Sequence, residues 1–282
     1  MEGILYDLAF TSPAPDVAIT EVPPEIQKQL WGDRDELIET LAWALPQGIK
    51  HNDLTLSNLY FEQLCLLDQR LKYYTKYIDA GGIAVIGNEI VPDEAFLMAR
   101  EIVLEMTSKH PEIRDMLSPE TGHYHVLVND QYGHLRETPE PPHYEPDIPY
   151  ALSHCGGRYT YCVSTIRPLS EGRVMWTFVH EFAHAMHSVI EELDTSFNDK
   201  LKQAYENAIE QGIWSGMYAE ENYQEYWAEG VRMWFYHVTD LPRPPTQGWV
   251  TFRTYEDFAE RDPMLVELIR GWFHEATFFG RY

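Results

Sequence analysis

Between residues 174 and 190 the chain is mostly apolar and contains neither proline nor an internal glycine. With Ser170 as an N-cap and Glu171 behind it in the first turn, this pattern predicts a long, largely buried helix. Phe96, Ala99, Ile102, Val103 and Met106 form an apolar stripe at helical spacing, which predicts a second helix opened by Pro92. Helices are also expected over 25–45, 57–79, 198–211, 222–237 and 263–278, the one over 57–79 stopping at Gly81-Gly82. Runs of strand type occur at 124–128 and 159–165, and Ile83 to Gly87 reads as a short buried strand. Residues 11–24 are punctuated by proline and read as an extended arm. The expected organisation is α+β: an arm over 1–24 and one domain over 25–282. That domain divides into a lobe with a small mixed sheet, 25–169, and a helical lobe, 170–282, that begins with the long helix.

The long helix contains His180-Glu181-Phe182-Ala183-His184. Residues four apart on a helix share a face, so His180 and His184 can offer two imidazoles to one metal ion with Glu181 beside them as a base. A catalytic zinc site takes three protein ligands and keeps a fourth position for water. The extended form of this motif that adds Gly at 187 and His at 190 is excluded, because the chain has His187 and Ile190 there. His187 itself is turned away from the face that His180 and His184 share.

Asn222 is a good N-cap for the helix over 222–237, which puts Glu225 on its first turn and Glu229 one turn later on the same face. Glu225 is the preferred third ligand, and Glu229 suits a supporting role, accepting a hydrogen bond from the outer ring nitrogen of a ligating histidine. Both are interleaved with Tyr226, Trp227, Val231 and Trp234, so part of their turn should be buried, and a buried carboxylate needs a partner. Asp194 and Asp199, shortly after the motif, remain alternative ligands. Residues 130–158 read as a long loop rich in proline and histidine. His134, His143 and His154, with His123 and His125 before them, lack the tight spacing of a second metal site.

The motif, followed by Tyr218, Asn222 and Glu225-Tyr226-Trp227-Ala228-Glu229, resembles the catalytic domain of the anthrax lethal factor type of gluzincin and is similar to the Mlc titration factor peptidases. The resemblance covers residues 174–236, with a weaker echo over 262–278. It implies a zincin-like fold with the motif helix between the two lobes, and a zinc metallopeptidase holding one Zn2+ per chain on His180, His184 and Glu225. It further implies Glu181 as the general base and Tyr218, upstream of the third ligand, as an assisting residue that can donate a hydrogen bond to the oxyanion. Two histidines and a carboxylate also form the facial triad of non-haem iron enzymes, so a metalloenzyme acting on a small molecule is the alternative.

Composition narrows the partners. The chain of 282 residues is 44% hydrophobic and 13% aromatic, enough for a sizeable core. With 21 basic against 45 acidic residues its net charge is −24, which repels nucleic acid and anionic membranes and is compatible with a basic peptide or protein substrate. Oligomeric state is not legible. Neither a signal peptide nor a segment long enough to span a bilayer is expected, which leaves a cytoplasmic life or non-classical export. Cys65, Cys155 and Cys162 are too few for a disulfide framework, and reduced thiols are expected.

Overall fold

Five consecutive residues, Ile83 to Gly87, form a strand buried throughout. Its two faces enter different cores, as expected of a strand covered on both sides. In the computed structural model, which describes residues 17–91, 93–118, 125–129, 139, 161–165, 175–236 and 255–275, this strand lies inside a mixed sheet. The sheet comprises β1 (Lys76–Ala80), β2 (Ile83–Gly87), β3 (His125–Asn129) and β4 (Tyr161–Thr165), ordered β1-β2-β3-β4. β1 and β2 are antiparallel with Ala80 opposite Ile83, while β2–β3 and β3–β4 are parallel. Ile83, Val85, Val126 and Val128 join the main core, and Ala84, Ile86 and Leu127 join a smaller one with Trp31, Leu67 and Tyr74.

The β1–β2 connection corrects the expected helix over 57–79. The helix α3 is Thr55–Tyr73, and the chain then turns into β1. Gly81 and Gly82 are the hairpin turn rather than a helix stop, with φ of 68° and 98° that favour glycine. The Asp79 carboxylate accepts their two N–H groups at 3.0 and 2.9 Å. The helix expected over 25–45 is also two helices, α1 (Pro24–Trp31) and α2 (Arg34–His51). Gly32 takes a positive φ between them, and the Asp33 side chain caps α2 by accepting from Asp35 and Glu36. Of the expected arm over 1–24, residues 17–23 are described and precede α1, while residues 1–16 lie outside the described residues. Within the arm, Thr20 exchanges backbone hydrogen bonds of 2.9 and 2.8 Å with Tyr77 of β1.

The stripe from Phe96 to Met106 forms α4 (Asp93–Met106), all five of its residues lying in the main core. A short helix, α5 (Glu112–Leu117), follows. The motif helix is α6 (Met175–Leu193), and the expected cap Ser170 lies outside the described residues. It packs against α4, α5 and β4 on one side and α8 (Tyr223–Tyr236) on the other, so the main core runs unbroken from the sheet into the helical half. α7 (Phe197–Glu210), α9 (Tyr255–Arg261) and α10 (Pro263–Trp272) complete that half. The expected small mixed sheet and largely helical remainder are thus present. Among the described residues no helix is long and apolar enough to cross a membrane.

Asp262 holds the helical half together. It is fully buried at the N-cap of α10, where Trp214 Nε1 donates to it at 2.8 Å, the Tyr226 hydroxyl at 2.9 Å and the Leu265 N–H at 3.2 Å. Burial pushes its carboxyl pKa up, against the pull of these donors.

Candidate metal centre

α6 and α8 bring the site together because each is fixed by its own sequence. Asn222 Oδ1 accepts from the N–H groups of Gln224 and Glu225 at 3.0 and 2.9 Å, which starts α8 at Tyr223 and places Glu225 in its first turn. Trp227, two residues on, is fully buried and donates from Nε1 to the Ala183 carbonyl at 3.1 Å. It thereby docks α8 on the turn of α6 between the two motif histidines. On the far side of α8, Gly230 lies where a Cβ would collide with Leu265, so α10 packs hard against it.

Three atoms converge where the helices meet. His180 Nε2 lies 3.2 Å from His184 Nε2 and 3.1 Å from Glu225 Oε2, and the third edge, His184 Nε2 to Glu225 Oε2, is 3.3 Å. The orientation of His180 is set from behind, its Nδ1 lying 2.8 Å from Glu229 Oε1 while Arg232 holds the other carboxylate oxygen. An ionised carboxylate can only accept, so Nδ1 carries the proton and Nε2 turns a lone pair towards His184 and Glu225. Three electron-pair donors this close repel one another unless a cation sits among them. Without a metal, a proton on His180 Nε2 fills that role by pairing with Glu225, and it must leave before a metal can bind. Burial lowers the His180 pKa, but the Glu225 and Glu229 carboxylates outweigh it and raise it to about 9. Burial likewise opposes ionisation of Glu225, yet both histidines draw it down to about 2.

The donor set fits zinc. A tetrahedral centre with bonds of about 2.0–2.1 Å has ligand–ligand edges of about 3.3–3.4 Å, close to the observed triangle. Two imidazoles and one carboxylate are a borderline-soft set that zinc accepts, with one position of four left open.

Among the described residues His180, His184 and Glu225 form the cluster able to hold a metal, their ligand atoms all within 4.8 Å. The alternative ligands stand elsewhere. Asp194 accepts from Ser196 N–H at 2.9 Å and pairs with Lys200 at 3.1 Å, and Asp199 is exposed on α7. His187 is buried away from the cluster, bonded at 2.7 Å to Asn198 Oδ1 and packed against Phe197, Tyr223 and Trp227. His123, His134, His143 and His154 lie outside the described residues, as does all of the loop over 130–158 except residue 139.

Glu181 is half-buried, and its charge is one of those that raise the pKa of both His180 and Tyr218. Tyr218 opens a short 3-10 turn, Tyr218–Glu220, with its ring centroid 6.1 Å from that of His180. Partial burial and the nearby carboxylates, Glu225 foremost, push its hydroxyl up to about 12, so it keeps its proton at neutral pH. Its turn follows Gly212 and Gly216, at φ of 65° and 76°, and is tied in place by Glu220. That residue's carboxylate accepts from the Gly216 N–H and its carbonyl from the Tyr205 hydroxyl, each at 2.7 Å.

Sequence reasoning missed two supports. Arg232 lies three residues beyond Glu229, a helical pairing that spacing alone could have flagged. The Asn198 bridge from His187 to Glu191, at 2.6 Å to the latter, joins two helices and left no local signal. No protein-family model matches the chain, and no curated protein or solved structure matches it.

Proposed function

We propose that the protein is a zinc-dependent metallopeptidase of the gluzincin kind, with a zincin-like arrangement of its lobes and one zinc per chain on His180, His184 and Glu225. The observation that carries the reading is the triangle of 3.1, 3.2 and 3.3 Å edges, with His180 oriented through Nδ1 by Glu229. Zinc at such a site supplies Lewis acidity, lowering the pKa of a water towards neutrality and polarising a carbonyl. Glu181 takes the proton of the attacking water and returns it to the leaving amine. Tyr218, still protonated, donates a hydrogen bond to the oxyanion that develops on the scissile carbonyl, an interaction made mainly in the transition state. Glu229 and Arg232 keep His180 in one tautomer throughout. The substrate is a peptide, and the net charge of −24 favours a basic one.

Elemental analysis paired with cleavage of an unbiased peptide library tests this. The expected result is about one zinc per chain, as one ligand set allows, with peptide hydrolysis that a chelator removes. Glu181→Gln should keep zinc and lose hydrolysis by several orders of magnitude, whereas Glu225→Ala should lose the metal. Tyr218→Phe should lower turnover roughly a hundredfold with zinc content unchanged. Persistent iron without peptide cleavage, or full zinc in Glu225→Ala, overturns the reading.

A further inference from the structure

Away from the metal centre, α2 and α3 form a helical hairpin whose buried seam is made of small residues. Near the turn, Gly48 of α2 lies against Ser57 of α3, and a Cβ on Gly48 would meet the Asp53 carbonyl at 2.7 Å and Ser57 Oγ at 3.1 Å; Ala44 is buried one turn before Gly48, while Leu67 further along α3 joins the smaller core. Close approach of two thin helices leaves their large apolar side chains outside. Of the eleven exposed large hydrophobics among the described residues, eight are here: Ile38, Trp43, Leu45, Ile49, Leu54, Leu56, Leu59 and Phe61, between 38% and 67% exposed. We propose that this hairpin is the interface through which two copies of the chain form a dimer, packing four helices side by side.

Spacing and charge favour a second copy. Ile38, Ala42, Leu45 and Ile49 recur at intervals of four, three and four, the seam spacing of a packed helix. They lie to one side of the Ala44–Gly48 seam, and the antiparallel run of α3 brings Leu54 and Phe61, seven apart, to that same side. Trp43, Leu56 and Leu59 fall on the other. The five large side chains on the first face expose on the order of 400–500 Å², comparable to the largest patches that monomers tolerate. That is about half of the ~800 Å² per partner of a standard interface, so a dimer built on this face would draw the remainder from the polar rim of α2 and α3. Residues 40–61 contain one lysine, Lys50, and one acidic residue, Asp53, in a chain of net charge −24, so two copies meeting over this end of the hairpin bring no net charge together. The exposed turn itself is polar, Lys50-His51-Asn52-Asp53, which opposes insertion of the tip into a bilayer. The apolar side chains lie along the flanks, where another helix pair reaches them.

Sedimentation of the full chain is the test. Wild type should sediment at twice the chain mass of 32.9 kDa at micromolar concentration. Ile49→Glu and Phe61→Glu should each shift it to monomer, while Trp43→Glu, on the other face, leaves the dimer in place. Hydrogen exchange on wild-type protein needs no variant to fold: amide protection in α2 and α3 should fall on dilution, with the rest of the chain unchanged. Monomer throughout the micromolar range, dilution-independent exchange in the hairpin, or monomer that binds phosphatidylcholine vesicles would each overturn the proposal.

Discussion

Two helix pairs in this molecule are built on opposite plans. In α6 and α8 nearly every side chain from Phe178 to Ile190 and from Tyr226 to Phe235 is buried, and polar groups inside are matched to partners: Trp227 to Ala183, His180 to Glu229, Tyr226 to Asp262. In α2 and α3 the contact near the turn is a strip of small residues, Leu37, Leu67 and Leu71 join the smaller core at the far end, and most of each helix faces outward. The first plan spends large aromatic side chains on fixing one arrangement, as a site with ligands on two helices requires. The second fixes the two helices with little volume and leaves their bulk available. Burial of large side chains is thus concentrated where geometry must be held.

Truncating a tryptophan in each pair tests the contrast most directly. Trp227→Ala should cost about 3–5 kcal/mol of unfolding free energy, through a large cavity and loss of the α6–α8 contact. Urea denaturation measures it, and a cost under 1 kcal/mol would mean that α8 docks without its anchor. Next, Asp262→Ala should cost about 2–4 kcal/mol, because Trp214 Nε1 and the Tyr226 hydroxyl lose their buried acceptor. Asp262→Asn should cost less and alter the pH dependence. Folding raises the Asp262 pKa, so its contribution to stability is fullest below the ordinary carboxylate value of 3.8 and is lost as pH climbs through the raised one. Unfolding free energies measured from pH 4 to 7 should therefore fall with pH less steeply in Asp262→Asn than in wild type. On the proposed zinc reading, Glu229→Gln should weaken zinc affinity by about 10- to 100-fold while one zinc still binds at saturation, as competition with a chromogenic chelator would show. The smallest effect belongs to the hairpin: Trp43→Ala should change unfolding free energy by no more than about 0.5 kcal/mol, since its ring is largely in solvent.

The same contrast separates what was legible in the sequence from what was not. The α6 pattern, the α4 stripe and the Asn222 cap were readable because each is local: a 3.6-residue period or a side chain bonding N–H groups two and three residues on. Glu225 and Glu229 were readable for the same reason, as positions four apart on a capped helix. The turn into β1 was not. Lys76 to Ala80 continues a helix-compatible run, and strand geometry wins there only because β2 and the Thr20 bridge pair with it. Gly81-Gly82 punctuates a hairpin as readily as a helix end, so the glycines marked the boundary but not its kind. The break at Gly32 and Asp33 had a recognisable cap that a continuous reading of 25–45 passed over. Asp262 before Pro263 signalled the start of α10, whereas its bonds to Trp214 and Tyr226 depend on chain segments dozens of residues away.

The pair of backbone bonds between Thr20 and Tyr77 bears on self-association of another kind. β1 is the outer strand on its side of the sheet, and an outer strand offers free N–H and C=O groups as a template on which other chains can add. The arm occupies the middle of that template, satisfying both backbone groups of Tyr77. Val22 of the same segment lies in the smaller core, and Val17 and Ile19 pack against the main one, so displacing it would remove core contacts and open a strand edge to edge-on growth at once.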